Sequence, residues 1–275
     1  MEHLKIPLGS SELKGHVQTI YTQSKYLESM PPEVHSAIAA LARDRGFQEA
    51  LKQRNQHHAG DNLDFFLDSI ARLFSPGYLP SDEDILRSQV STQGVTETIF
   101  TAEKGSQGDI LKLDVYDIGG SRPCRKKWKH LFKEADLVLF TVDIGSYDQV
   151  FFENRSTNSM QEALMLWDSI VNSRWFTETT FILCFTKQAK LAAKIKDAPL
   201  ALYFPGFVAS DLPDLDSATN YINHYFLSFR QAPERPTYTM VLPDLPTKED
   251  WEAMKNFFWE VHERKMEKLS SGAHF

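Results

Sequence analysis

Two strongly apolar runs limit the fold of this chain more than any other feature of its sequence. They are ADLVLFTVDI at residues 135–144 and TFILCFTK at residues 180–187. Continuous apolar runs of this length are typical of central parallel strands that are buried on both faces. Between them, SMQEALMLWDSIVNSRWF predicts a helix that begins with a capping box formed by Ser159 and Glu162. Strand, helix and strand in this order predict a parallel βαβ unit and an α/β fold.

Further elements are predicted on both sides of this unit. VTETIFTA and ILKLDVYDI, at residues 95–102 and 110–118, predict an antiparallel hairpin. Downstream, the pattern predicts a helix, a weaker strand TYTMVL and a long final helix from Thr247. Upstream, HLKIPLGSSELKGHVQTIY predicts a short strand, a polar loop and a helix. PPEVHSAIAALARDRG then predicts a helix that stops at Gly46, and GDNLDFFLDSIARLF predicts another.

The totals of the sequence exclude several classes of protein. The formal net charge of −7 over 275 residues argues against a general nucleic-acid binder, because contact with phosphates needs an excess of positive charge. Two cysteines, Cys124 and Cys184, have no paired spacing, which excludes a disulfide framework or a zinc site. No apolar run approaches the roughly 20 residues of a transmembrane helix, and Met-Glu at the start carries no N-myristoylation signal. We expect a cytoplasmic protein that reaches the cytoplasmic face of the plasma membrane only through partners.

Residues 78–207 resemble the alpha subunits of heterotrimeric G proteins. DIGGSRPCRKKWKHLF, at residues 117–132, is similar to the family's switch II motif DVGGQRxERKKWxHxF. The runs at residues 146–187 and 194–207 resemble the segments that follow in that family, and the SYDQV and WFTET motifs separate alpha subunits from small GTPases. The resemblance implies a Ras-like P-loop GTPase sheet with an inserted, shortened all-helical domain.

The resemblance also implies a domain organisation. Residues 1–30 correspond to the first strand, the phosphate loop and the first helix of the Ras-like domain. Residues 31–84 correspond to a reduced helical insertion, and residues 85–275 to the remainder of the Ras-like domain. The family's N-terminal helix and the long opening helix of the insertion have no counterpart in this sequence. We expect either that the gene has lost them or that its start and an exon are mispredicted.

Cofactors, partners and site residues follow from the same resemblance. It implies GTP or GDP with Mg²⁺ as cofactors, and a beta–gamma dimer, a G protein-coupled receptor and an effector as partners. Thr92 and Asp117 match the positions that hold Mg²⁺, although Asp117 could instead cap the following turn. The positions that match nucleotide contacts are Gly9, Glu12, Lys14, Leu86, Arg87, Gly120 and Lys187.

The phosphate loop departs from the family's pattern. The motif G-x-x-x-x-G-K-[ST] uses backbone N–H groups and a lysine to bind the phosphates, and a hydroxyl to bind Mg²⁺. In GSSELKGH the lysine and glycine are reversed, as Lys14 and Gly15, and His16 stands at the hydroxyl position. A shift of one position moves the ammonium by several ångströms, so the loop cannot make the same contact without remodelling.

The catalytic and base-binding positions depart as well. Gln89 stands where the family has its catalytic arginine, and Ser121 where it has the glutamine that orients water. TKQA keeps Lys187 but has Ala189 at the position of the aspartate that accepts hydrogen bonds from guanine. No catalytic position is intact, so we expect slow or absent hydrolysis. The changes in the phosphate loop and at Ala189 predict weak nucleotide binding.

A basic run follows the two glycines of the switch motif. Taken alone, such a run is typical of a solvated helix face. The family resemblance instead places Arg122, Arg125, Lys127 and Trp128 on the face that binds beta–gamma or an effector. An exposed tryptophan beside arginines is typical of a binding hot spot, and we therefore predict a partner contact at these four residues.

Three hypotheses for function remain open from the sequence. The first is an alpha-subunit-like signalling protein of G protein-coupled receptor pathways that binds guanine nucleotide weakly. The second is an interaction protein, independent of nucleotide, that binds beta–gamma, an effector or a receptor, including as a decoy. The third is a truncated or decayed gene product without a stable fold.

Overall fold

The structure is a computed structural model, and it describes most of the chain. The described residues are 6–23, 31–53, 60–88, 92, 94–104, 108–126, 128, 131–132, 135–151, 153–176, 178–208, 214–243 and 246–271. The chain forms two compact units, Met1–Val90 with Gln149–Ser156, and Ser91–Asp148 with Thr157–Phe275. The smaller unit therefore combines the first two segments that the family resemblance implies, residues 1–30 and 31–84.

The smaller unit is helical over its described residues up to Ser88. Its helices are α1 (Leu13–Gln23), α2 (Pro32–Ala42), α3 (Arg45–Lys52), α4 (Leu63–Asp68), α5 (Ile70–Leu73) and α6 (Asp82–Arg87). Proline in the first turn starts α2, because the missing N–H has no helical partner there in any case. A capping box of Ser81 and Asp84 starts α6.

One sequence prediction in this unit is wrong, and another fails over the part of it that the structure describes. The predicted stop at Gly46 is wrong because α2 ends at Ala42, and Asp44 then accepts a hydrogen bond from the Phe47 N–H and caps α3. Gly46 therefore lies inside α3. The predicted first strand is absent from described residues 6–8, where Pro7 has no N–H to donate to a sheet. The rest of that predicted strand lies outside the described residues.

The larger unit contains a hairpin and a parallel sheet. β1 (Val95–Lys104) and β2 (Asp109–Ile118) pair antiparallel, with Val95 opposite Ile118 and Lys104 opposite Asp109, which confirms the predicted hairpin. The parallel sheet has the order β3-β6-β7. Its strands are β3 (Leu137–Asp143), β6 (Thr180–Thr186) and β7 (Thr237–Val241). A further short sheet pairs β4 (Val150–Phe151) with β5 (Asn154–Asn158), and most of it lies in the segment Gln149–Ser156 that is assigned to the smaller unit.

Helices of the larger unit precede, connect or follow the strands of the parallel sheet. They are α7 (Arg122–Arg125), α8 (Ser159–Val171), α9 (Gln188–Lys194), α10 (Leu215–Leu227) and α11 (Lys248–Ser270). The predicted capping box of α8 is wrong, because the Asn158 side chain accepts from the Met160 and Gln161 N–H groups instead. Glu162 is therefore available for another contact. Among the described helices, none is both long and apolar enough to cross a membrane.

Aromatic side chains form the core of the larger unit. Trp167 is fully buried, its ring contacts Phe140 and Phe181, and its indole N–H donates to the Phe226 carbonyl at 2.8 Å. β6 is buried at its five central residues, as the sequence predicts. The same prediction is wrong for β3, where Leu139 is 43% exposed. β3 is an edge strand of the described three-stranded sheet and so alternates between buried and exposed positions.

Candidate functional site

The predicted metal ligands lie together at the end of the hairpin. Asp117, near the end of β2, accepts a hydrogen bond from the Thr92 hydroxyl at 3.1 Å. Oxygen atoms are the ligands that Mg²⁺ prefers, and one or two protein ligands suffice when phosphates and water supply the others. The side-chain oxygens of these two residues are therefore ligands of the type that Mg²⁺ prefers. No group of three or more His, Cys, Asp or Glu side chains within the described ranges could hold a metal ion by itself.

The first glycine of the switch motif is required by close packing. Gly119 donates its N–H to the Gly94 carbonyl at 2.8 Å. A Cβ on Gly119 would lie 2.7 Å from the Thr92 carbonyl oxygen and 2.9 Å from Cys124 Sγ, so only glycine fits. Gly120, a predicted nucleotide contact, is exposed, and its carbonyl accepts from Arg125 Nε at 3.0 Å.

A buried carboxylate binds both arginines of the switch motif. Glu162, on the first turn of α8, is 5% exposed and accepts from Arg122 at 3.2 and 2.6 Å and from Arg125 at 2.7 Å. The hydrogen bond from Arg122 is the largest cause that lowers the pKa of Glu162, and Arg125 adds to it. Ser121, the residue before these arginines, precedes α7 but makes no capping hydrogen bond. The sequence analysis assigned Glu162 to a capping box and did not predict it as a site residue, and no local signal in the sequence pairs it with the two arginines.

The prediction of an exposed Trp128 is wrong. Trp128 is 8% exposed, its indole N–H donates to the Gly119 carbonyl at 3.1 Å, and its ring packs near Phe132. The flat, apolar indole is better buried beneath the glycine turn than left in water. Lys127 lies outside the described residues. Arg122 retains 45% exposure of its side chain, whereas Arg125 retains 22%.

Apolar side chains are exposed on the outer face of the hairpin. Val95, Ile99 and Tyr116 are 40%, 55% and 46% exposed. They share one face, because Val95 and Ile99 alternate along β1 and Tyr116 is paired with Glu97 between them. On the opposite face, Ala102 is fully buried, whereas Phe100 is 42% exposed and approaches Trp251 of α11. The alternation of the hairpin sequence carried this signal, but sequence reasoning did not use it.

The base-binding motif is held by contacts within the protein. Lys187 has a left-handed backbone with φ 62°, and its ammonium lies 3.3 Å from Asp143 Oδ2 at the end of β3. Within the described structure, the other oxygen of Asp143 is buried without a hydrogen-bond partner. The Thr186 hydroxyl donates to the Val142 carbonyl at 3.2 Å, and Ala189 offers no acceptor. The motif therefore does not fit selection of guanine by a carboxylate.

The remaining predicted nucleotide contacts belong to the smaller unit. Gly9 donates its N–H to Asp44 Oδ1 at 2.8 Å. Glu12 precedes α1 and Lys14 is its second residue, and both side chains are exposed. The carboxylate that binds the Gly9 amide occupies a backbone N–H of the kind that a phosphate loop offers to phosphate.

Leu86 and Arg87, at the end of α6, are the other two of these contacts. Leu86 is 61% exposed. Arg87 donates to Glu83 at 2.7 Å and lies over the Phe65 ring, 4.7 Å from its centroid. The described contacts of Arg87 therefore hold α6 and α4 within the smaller unit. Gln89, the position of the family's catalytic arginine, lies outside the described residues.

A family model and individual relatives, compared with this chain, indicate the same protein family. The family model described as "G-protein alpha subunit" matches residues 1–262. The chain is 43% identical over 241 residues to a guanine nucleotide-binding protein subunit alpha of Cryphonectria parasitica. It is 43% identical to the G-protein complex alpha subunit gpaA of Aspergillus fumigatus and 42% identical to a guanine nucleotide-binding protein alpha-1 subunit of Neurospora crassa. Each match covers 87% of this chain but 66% of the relative, so the chain spans just under two thirds of their length.

Proposed function

The chain belongs to the G-protein alpha subunit family, and we propose that it acts in signalling through protein–protein contact. In this proposal it binds guanine nucleotide and Mg²⁺ weakly and hydrolyses GTP slowly or not at all. Its partners are of the family's three classes: a beta–gamma dimer, a G protein-coupled receptor or an effector. It works in the cytoplasm and reaches the plasma membrane through these partners.

The contact between Glu162 and the two arginines carries this proposal. Three N–H groups of Arg122 and Arg125 bind one carboxylate, which holds α7 against α8. Charge-assisted, bidentate contacts of this kind are strong and directional. They come from the side chains of the chain itself, so the switch segment has a source of order that does not depend on a nucleotide.

The outer face of the hairpin supplies the second part of the proposal. We define the partner face as Val95, Ile99, Tyr116 and Arg122, with Arg125 and the buried Trp128 supporting the segment that carries Arg122; Lys127 stays a predicted partner contact. Tyrosine and arginine are enriched where binding energy is concentrated, and exposed aliphatic residues beside them supply area to bury. Trp128 then stabilises the face from beneath instead of contacting the partner.

Binding to a purified beta–gamma dimer tests this function. Biolayer interferometry would compare the wild-type chain without nucleotide, with GDP and with a non-hydrolysable GTP analogue. We expect the same dissociation constant in all three, because the protein's own contacts order the segment. Tyr116→Ala should weaken binding about tenfold or more.

Leu202→Ala is the matched control, since Leu202 is 73% exposed in the same unit but lies outside the partner face. Capture in only one nucleotide state, or unchanged binding of the Tyr116 variant, would contradict the proposal. Absence of a cooperative thermal transition in the wild-type chain would favour a decayed gene product instead.

A nucleotide-regulated switch is the second candidate, because Thr92 and Asp117 are in hydrogen-bond contact. Titration of a fluorescent GTP analogue with and without Mg²⁺ distinguishes it from the first. Micromolar, Mg²⁺-dependent binding that is lost in Thr92→Ala and Asp117→Ala would favour this candidate. Absence of binding, together with capture of beta–gamma, would favour the first.

A further inference from the structure

The backbone N–H of Gly9 is bound by a carboxylate from a distant part of the sequence. Asp44, between α2 and α3, accepts this N–H on Oδ1 at 2.8 Å and the Phe47 N–H on Oδ2 at 2.8 Å. Asp44 is 7% exposed. Both oxygens of one buried carboxylate are thus bound by backbone N–H groups, and one of these groups belongs to the loop where the family binds phosphate.

Two glycines make this contact possible. A Cβ on Gly9 would lie 2.5 Å from Asp44 Oδ1, inside the distance that real Cβ atoms keep. A Cβ on Gly46 would lie 2.1 Å from the Pro7 carbonyl oxygen and 3.1 Å from Asp44 Oδ2. Neither glycine has a positive φ, so close approach of the two segments is the reason for glycine at both positions. The absence of a side chain at Gly9 and at Gly46 therefore leaves the space that the Asp44 carboxylate occupies.

We propose that the Gly9 amide is an anion site whose resident anion is the Asp44 carboxylate of the same chain. A backbone N–H that points at a carboxylate makes the same charge-assisted hydrogen bond that it would make to a phosphate oxygen. One N–H serves one such acceptor at a time, and the Asp44 charge repels a second anion. A phosphate group at this loop must therefore displace Asp44, which makes the side chain a built-in competitor.

This inference is independent of the proposed function, because it rests on residues of the smaller unit. It also gives Gly9 a role different from the family's: the residue is glycine because Asp44 lies against it. The reversal of Lys14 and Gly15 and the occupied amide then disfavour phosphate in two separate ways.

Inorganic pyrophosphate is the probe that tests the inference. Amide resonances of Gly9 and Ser10 would be followed by NMR in the ¹⁵N-labelled full chain during a pyrophosphate titration. In Asp44→Asn and Asp44→Ala we expect half-saturation at a concentration about tenfold or more below that of the wild-type chain. Asp44→Asn keeps a side-chain oxygen that caps α3, so it remains informative if Asp44→Ala does not fold.

Asp214→Asn is the matched control. Asp214 caps α10 by accepting from the Asp216 and Ser217 N–H groups, so this variant removes the same charge from the same kind of cap in the other unit. It should bind pyrophosphate as the wild-type chain does. The inference is overturned if the wild-type Gly9 amide responds at the same concentration as the Asp44 variants, or if Asp214→Asn gains as much as they do.

Discussion

The larger unit buries aromatic rings around its parallel sheet, whereas the smaller unit relies on two buried carboxylates. Trp167, Phe181 and Phe226 are fully buried in the larger unit. Among the described residues of the smaller unit, the buried apolar side chains are all aliphatic and most are small: Val34, Ala37, Leu41, Ala50 and Ile70. Asp44 and Asp84 are buried beside them, each with several hydrogen bonds.

Asp84 shows how the smaller unit is held. It accepts from Arg72 at 2.6 and 2.7 Å, from the Tyr78 hydroxyl at 2.9 Å and from the Ser81 N–H at 2.9 Å. The hydrogen bond from Arg72 is the largest cause that holds the pKa of Asp84 far below its usual range. This contribution to stability is present above the unfolded pKa of an aspartate and is lost as the pH falls through the lowered folded pKa.

The two units therefore differ in the kind of substitution that we expect to lower their stability most. Apolar burial is non-directional and is spread over many contacts, so a closely packed core loses stability mainly when volume is removed. A carboxylate network depends on particular donors, so one polar substitution removes several contacts together. We expect volume changes to dominate in the larger unit and charge changes in the smaller one, with the buried carboxylates Glu162 and Asp148 as exceptions in the larger unit.

The largest expected effect is in the aromatic core. Trp167→Ala should lower the free energy of unfolding by about 3–5 kcal/mol, since it leaves a cavity and removes the bond to the Phe226 carbonyl. Urea denaturation followed by circular dichroism measures this. Trp167→Phe is the control that keeps a ring and should cost less. A loss below about 1 kcal/mol in the alanine variant would contradict a closely packed core.

Glu162→Gln tests one of these two polar exceptions in the larger unit. The variant leaves two arginines without their carboxylate and should cost about 2–3 kcal/mol near neutral pH. The folded pKa of Glu162 lies below its ordinary value of 4.5, so its contribution is present above that pH and is lost as the pH falls through the folded pKa. The wild type and the variant should therefore converge in stability at low pH. A constant difference across pH 3–8 would show that charge is not the cause, with roughly that window following from carboxylate pKa values.

A matched pair of valines compares the two units directly. Val34 and Val142 are each 1% exposed, the first in the smaller unit and the second in the larger one. We expect Val142→Ala to cost about 2–3 kcal/mol and Val34→Ala about 1 kcal/mol, because short helices relax around a cavity more readily than a sheet does. Equal losses by urea denaturation would remove the proposed difference in packing.

Substitution of Lys187, in the base-binding motif, should have a smaller effect on the free energy of unfolding. A left-handed backbone is strained for any residue except glycine, so Lys187→Gly should be more stable than Lys187→Ala by about 1 kcal/mol. Both variants lose the contact with Asp143, and their difference therefore isolates the backbone. Thermal melts of the two proteins measure it. Equal melting temperatures would argue against the left-handed conformation.

The smallest expected effect is on GTP hydrolysis. Replacing Ser121 by Gln and Gln89 by Arg together should not produce turnover above that of the wild-type chain. Both new groups would act on a phosphate, and the loop has a reversed Lys14–Gly15 pair and a Gly9 amide bound to Asp44. Phosphate release under single-turnover conditions measures this. Turnover in the double variant would mean that the loop does bind phosphate.

Local patterns were sufficient to predict many elements of the fold. The hairpin, the buried strand β6 and the helix between β3 and β6 follow from alternation, continuous apolar runs and helical spacing, which are short-range properties. The cap of α8 and the end of α2 were predicted wrongly, because Asn158 caps α8 and α2 ends at Ala42. Several residues near each helix end are good caps, and which one acts depends on the backbone conformation that tertiary contacts select.

The candidate site likewise combines features that the sequence indicated with contacts that only the structure showed. The sequence by itself indicated the family, the absence of the family's catalytic and guanine-binding residue types, and Thr92 and Asp117 as candidate metal ligands, because the resemblance depends on which residue stands at each position. Only the tertiary structure decided which charges meet. It joined Arg122 and Arg125 to Glu162, buried Trp128 beneath Gly119, and brought Asp44 to the Gly9 amide across 35 positions of the chain. Such contacts depend on the folded path of the backbone, and no local pattern encodes them.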